Sequence, residues 1–189
     1  MRLIFLGPVG AGKETQAAIL AECWQITHLS PGNILRQAVA QETFLGLKAA
    51  SLMKKGELVP DTLLIELLRE RLSQSDTRKG WILHGFPRNL SQAQSLEQLL
   101  QEMGQHCDWV INFEVSLNTL LKRMLALSNQ DYPQVTLAQR LEVYPKQTAH
   151  ISLIEFYQSR HCLKTIDGNL SVSTVTHTLQ KLLQLQVAV

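Results

Sequence analysis

At 189 residues with an apolar fraction of 45%, the chain suits one domain with a real core, small insertions included. A formal net charge of +2, with basic residues that neither cluster nor interleave with aromatics, leaves no electrostatic case for nucleic acid. Cys23, Cys107 and Cys162 are odd in number and far apart, which excludes a disulfide framework and a metal spacing and sets the expectation of buried thiols in the cytoplasm.

In chain order, Met1 leads straight into LIFLG, too short for a signal segment or a membrane span, so a soluble, untargeted protein is expected. Residues 3–6 form a continuous apolar run, the signature of a parallel strand buried on both faces. From residue 15 to 24, Ala17, Ala18, Leu20, Ala21 and Trp24 recur at helical spacing. Further strand-like runs lie at 81–83, at 109–113 and, weakly, at 163–166. Helical patterns fall between and beside them at 61–72, 90–103, 117–127 and 135–157. Alternating strands and helices predict an α/β fold with a mainly parallel central sheet, its ligands at the carboxyl ends of the strands. Residues 128–134, SNQDYPQ, form the clearest loop.

The first strand and helix are joined by GPVGAGKETQ, residues 7–16, whose first seven residues fit the phosphate-loop pattern G-x-x-x-x-G-K. Closely spaced glycines let backbone N–H groups turn inward, and the following helix adds its partially positive N-terminus. Gly10, Ala11, Gly12, Lys13, Glu14 and Thr15 are the expected nucleotide-phosphate contacts, with Lys13 reaching the β- and γ-phosphates. The position after the lysine usually carries a hydroxyl for magnesium or a small residue; here it is the carboxylate of Glu14.

Four further segments narrow the choice: HLSPGNILRQAV (28–39), GELVPDTLL (56–64), WILHGFPRNLSQAQSL (81–96) and RLEVYPKQTA (140–149). In order and spacing they resemble adenylate kinases, nearly from end to end. The resemblance implies a three-layer P-loop domain over residues 1–189, a helical AMP-binding insert at 30–59, a short lid at 127–134, and transfer of a phosphoryl group from ATP to AMP to give two ADP. It also implies residue roles. Lys13, Arg88 and Arg140 would be catalytic, and Arg123 and Asn169, beside Asp167-Gly168, would join the P-loop in framing ATP. Ser30, Pro31, Arg36, Glu57, Val59, Gly85, Arg88, Gln92 and Arg140 would bind AMP, the arginines by their forked guanidinium and Gln92 by reading adenine. Mg2+ would arrive on the nucleotide phosphates rather than in a dedicated protein site; the protein would be a monomer without nucleic-acid or membrane partners.

Four departures fall at functional positions. Glu14 stands where the family has a small residue, and His84 stands where it has an aspartate that ends a strand and holds magnesium through water. Ser30-Pro31-Gly32-Asn33 replaces S-T-G-D, and the lid lacks two arginines between Arg123 and Arg140, Leu127 standing near one of them. Because cations around the γ-phosphate do most of the catalytic work, these losses predict a slow kinase, with an adenine-nucleotide sensor of little or no activity as the alternative. Three readings of Glu14 are open: a carboxylate at the metal, a partner that raises the pKa of His84, or an exposed first-turn acid.

Overall fold

A computed structural model describes residues 1–55, 57–128 and 147–184. Its apolar runs become parallel strands because they have no polar face to turn to water. β1 (Arg2–Leu6), β2 (Thr27–Leu29), β3 (Trp81–His84), β4 (Trp109–Glu114) and β5 (Leu163–Asp167) form one sheet in the order β2-β3-β1-β4-β5, every neighbouring pair parallel. Among the described residues the helices are α1 (Lys13–Trp24), α2 (Pro31–Ala40), α3 (Phe44–Lys54), α4 (Asp61–Leu72), α5 (Leu90–Glu102), α6 (Leu117–Ser128), α7 (Gln147–Gln158) and α8 (Val172–Gln184).

Strand alternation sorts the core into two layers. Ile4, Leu6, Leu83 and Val110 cluster with Leu67 of α4, Leu96 of α5 and Leu153 of α7. Leu3, Phe5, Ile82, Ile111 and Phe113 cluster with Ala17 and Leu20 of α1 and with Val175 and Leu179 of α8. The sheet is thereby covered on both faces, which gives the expected three-layer α/β architecture. Each leucine so buried stabilises the fold by roughly 1.5–3 kcal/mol.

Between β2 and β3 the chain departs into α2, α3 and α4. Ser30 caps α2 by accepting the Asn33 N–H at 3.3 Å, and Pro31 occupies the first turn, where its missing N–H is not needed. Thr43 caps α3 in the same way through the Gly46 N–H at 3.0 Å. Gly46 lets α3 lie directly on α2: a Cβ there would stand 2.1 Å from the Ala38 carbonyl oxygen.

Two elements exceed the sequence reading. β2 has three residues, too few to show a period, and α8 is rich in Ser, Thr and Val, which mask its apolar spacing of Val172, Val175, Leu179 and Leu183. Of the helix expected at 135–157, residues 147–157 lie within α7, and 135–146 lie outside the described residues.

Candidate active site

At the carboxyl end of β1 the chain turns through residues 7–12 into α1. Gly7 has φ 133°, and a Cβ there would stand 2.8 Å from the Phe113 carbonyl oxygen, so only glycine lets the loop pass β4. Gly12 takes the left-handed conformation, φ 91°, immediately before the helix. Lys13 curls back over this loop, its Nζ donating to the Gly7 oxygen at 2.7 Å and the Pro8 oxygen at 2.6 Å. Its pKa is held down to about 8, first by burial and then by the charge of Arg88, with Glu14 opposing. Lys13 and Arg88 therefore share one electrostatic space at the helix N-terminus, which is what a polyanion needs.

The expected monophosphate side lies across the ends of β2 and β3. Gly85, φ 79°, follows β3 and sits against the start of α2, its Cβ position 3.8 Å from Pro31 Cδ. Arg36 folds back over Gly32 and donates to Asn33 Oδ1. Arg88 donates from Nε to the Gly85 oxygen at 2.9 Å, and its backbone N–H reaches Gln92 Oε1 at 2.7 Å. Gln92 is 9% exposed and donates from Nε2 to Asp61 Oδ1 at 2.8 Å, while Asn89 caps α5 through the Gln92 N–H at 2.9 Å. One N–H and one lone pair of the Gln92 amide stay free for a base. Val59 packs on the core and Glu57 is exposed.

On the other flank, Arg123 of α6 donates to the Gly168 oxygen at 2.7 Å and to the Gly10 oxygen at 3.3 Å, tying the P-loop to the loop after β5. That loop presses on the P-loop: a Cβ on Gly168 would lie 3.4 Å from the Ala11 oxygen. Asn169 stiffens it, accepting the Ser116 N–H at 2.9 Å and donating from Nδ2 to Asp167 Oδ1 at 2.7 Å. Thr15 is exposed on the first turn of α1. Arg140 and residues 129–134 of the expected lid lie outside the described residues.

Sequence comparisons give the family to which this chain belongs. The family model described as Adenylate kinase matches residues 5–162. The chain belongs to the adenylate kinase family. It is 49% identical over 179 residues to Adenylate kinase 1 of Nostoc sp. (strain PCC 7120), covering 95% of this chain and 96% of that one. Adenylate kinase 1 of Synechocystis sp. (strain PCC 6803) is 46% identical, with 96% of each chain covered. Adenylate kinase of Prochlorococcus marinus (strain MIT 9211) is 46% identical, with 97% of each covered. Among the described residues no helix is long and apolar enough to cross a membrane.

One expectation about this adenylate kinase site is corrected. Glu14 and His84 do not pair: no hydrogen bond joins them, and Glu14 is exposed on the first turn of α1. His84 stacks instead on His28, ring centroids 4.8 Å apart and planes 28° apart. Its pKa is pushed down to about 4, by burial first, then by His28 and Lys13, rather than raised by a carboxylate. Glu14 acts on His28, whose pKa is nonetheless lowered because burial outweighs it. His28 was invisible to sequence reading because it lies in the three-residue strand; only the β2–β3 register, with His28 opposite Ile82, brings it beside His84. The donors gathered here are nitrogens, a poor direct match to oxygen-seeking Mg2+. Among the described residues no group of three or more His, Cys, Asp or Glu is arranged to hold a metal.

Proposed function

We propose that the site between the P-loop, the end of β3 and the α2–α4 insert carries the reversible adenylate kinase reaction, ATP and AMP to two ADP, with the residue roles that follow. The P-loop N–H groups of Gly10 to Lys13 cradle the ATP phosphates, and Lys13 leaves the Gly7 and Pro8 carbonyls for them. Arg123 and the loop at Gly168 and Asn169 frame the ATP base. Arg36 and Arg88 hold the AMP phosphate beside Ser30, Pro31 and Gly85. Gln92 reads adenine next to Val59 and Glu57. Arg140 is assigned to the transferring phosphoryl group on the family resemblance alone. A divalent cation, Mg2+ in the family, enters on the nucleotide phosphates.

The observation that supports this reading most is the placing of two cations at the ends of neighbouring strands, Lys13 held on the Gly7 and Pro8 oxygens after β1 and Arg88 on the Gly85 oxygen after β3. Transfer requires little more than two phosphates aligned between such charges. A coupled assay of ADP formation, run beside calorimetry of each nucleotide, tests it. ADP should form only when both ATP and AMP are supplied. Binding of both nucleotides with no ADP formed would make the chain a sensor instead.

A further inference from the structure

His28 and His84 keep unpartnered ring nitrogens in one stacked pair at the ends of β2 and β3. Nε2 of each ring is buried and lacks a hydrogen-bond partner, and His84 is only 9% exposed. In the β2–β3 ladder His28 lies opposite Ile82, so His84, two residues further on, takes the diagonal position on the same face. Ile82 packs among the α1 residues Ala17 and Leu20, so that face is the one α1 covers. Besides each other's rings, the charges acting on the pair come from the first turn of α1, Lys13 on His84 and Glu14 on His28.

In P-loop enzymes the cation that accompanies a triphosphate is held by the residue after the lysine and by an acid of a nearby strand. In this chain the residue after the lysine is Glu14. β3 neighbours β1, and its last residue, level with Phe5, is His84. An imidazole offers little to Mg2+, which prefers oxygen and keeps its waters, but it is a good ligand for Co2+, Ni2+ and Zn2+. Rotation about the Cβ–Cγ bond lets each ring present either nitrogen. With no three-residue metal cluster among the described residues, the phosphates must supply the remaining ligands.

We propose that His84, with His28 stacked on it, ligates through nitrogen the divalent cation carried on the β- and γ-phosphates of ATP, so that this protein prefers a borderline cation such as Co2+ to Mg2+. The cation site forms only when the triphosphate is present. This rests on ATP occupying the P-loop, as proposed above.

The test uses the whole chain with Co2+ and a non-hydrolysable ATP analogue. Proton NMR should show hyperfine-shifted, solvent-exchangeable imidazole N–H signals that need both Co2+ and the analogue. Calorimetry should give at least tenfold tighter binding of the analogue with Co2+ than with Mg2+. His84→Asp with His28→Gln should abolish the shifted signals and bring the two cations to parity or reverse them, AMP binding being kept as the control for folding. Binding of the analogue without shifted imidazole signals in the unaltered chain overturns the proposal, whether or not the variant folds. An unchanged cation ratio in a folded variant also overturns it. No heat from the analogue with any cation would remove ATP from the P-loop and overturn both readings together.

Discussion

Replacing Gln92 by alanine tests whether this side chain, the proposed reader of adenine, is also a structural bridge. In the structure its amide bridges Arg88 and Asp61: Oε1 accepts the Arg88 N–H at 2.7 Å and Nε2 donates to Asp61 Oδ1 at 2.8 Å. The first bond is neutral and partly buried, worth about 1 kcal/mol; the second is charge-assisted, worth about 1.5 kcal/mol at the lower end of its range. The lower end applies because Asp61 is exposed and water takes up much of the lost bond. Gln92→Ala should therefore lose about 2.5 kcal/mol in urea unfolding at pH 7, roughly 5–10 °C in Tm for a chain of this size. AMP should also bind less well, because the Arg88 loop loses its anchor. A cycle with Gln92→Glu and Asp61→Asn isolates the pair. A glutamate side chain at position 92 can still accept the Arg88 N–H but repels Asp61. An asparagine side chain at position 61 restores a donor, so the double variant should be more stable than the two single losses added by at least about 1 kcal/mol. A coupling under about 0.5 kcal/mol, the limit expected of independent sites, would refute the bridge, as would an alanine variant as stable as the unaltered protein.

Three further outcomes are expected. Arg123→Met removes the links from α6 to Gly10 and Gly168, so KM for ATP should rise about tenfold, as for one lost charge-assisted contact, while KM for AMP stays within about twofold. Because Lys13 titrates near 8 in place of its ordinary 10.5, it loses its charge as pH rises through about 8; kcat/KM for ATP should fall above that pH, and a flat profile to about pH 10 would contradict the burial argument. Gly46→Ala forces a Cβ to within 2.1 Å of the Ala38 backbone oxygen and should lower thermal stability by about 3 kcal/mol, with AMP binding weakened because α2 carries Arg36.

How much of this was legible in the sequence depended on how local each feature is. The P-loop could be read directly, because its strand, glycines, lysine and helix are contiguous. The long helices α4, α5 and α6 were placed within a residue or two, since about ten or more residues give the 3.6 period time to show. β2 and the His28–His84 stack were not legible: a three-residue strand carries no period, and which strand lies beside which is decided by packing over the whole sheet. The Glu14–His84 pairing failed for the same reason. Two altered positions in neighbouring segments suggest contact, but side-chain direction from the first turn of a helix is fixed by three-dimensional packing, and Glu14 is left exposed.

The hydrogen-bond partners of the cations separate the groups proposed to meet nucleotide from the structural ones. Among the described residues Arg69, Arg71 and Arg160 are paired with the carboxylates of Glu102, Asp76 and Glu97, away from the P-loop. The four described cations that are proposed to meet nucleotide rest instead on neutral oxygens: Lys13 on Gly7 and Pro8, Arg36 on Asn33, Arg88 on Gly85, and Arg123 on Gly168 and Gly10. A carbonyl holds a cation in place without cancelling its charge. A phosphate oxygen then replaces a neutral acceptor with a charged one, and hydrogen bonds between ions are roughly twice as strong as neutral ones. A carboxylate in the same place would have to be displaced against its own attraction. Position 33 shows the difference within one residue: asparagine positions the Arg36 guanidinium without cancelling its charge. In the roles proposed above, the free protein thus keeps these four charges ordered on neutral acceptors, which lowers the cost of arranging them when the nucleotides arrive.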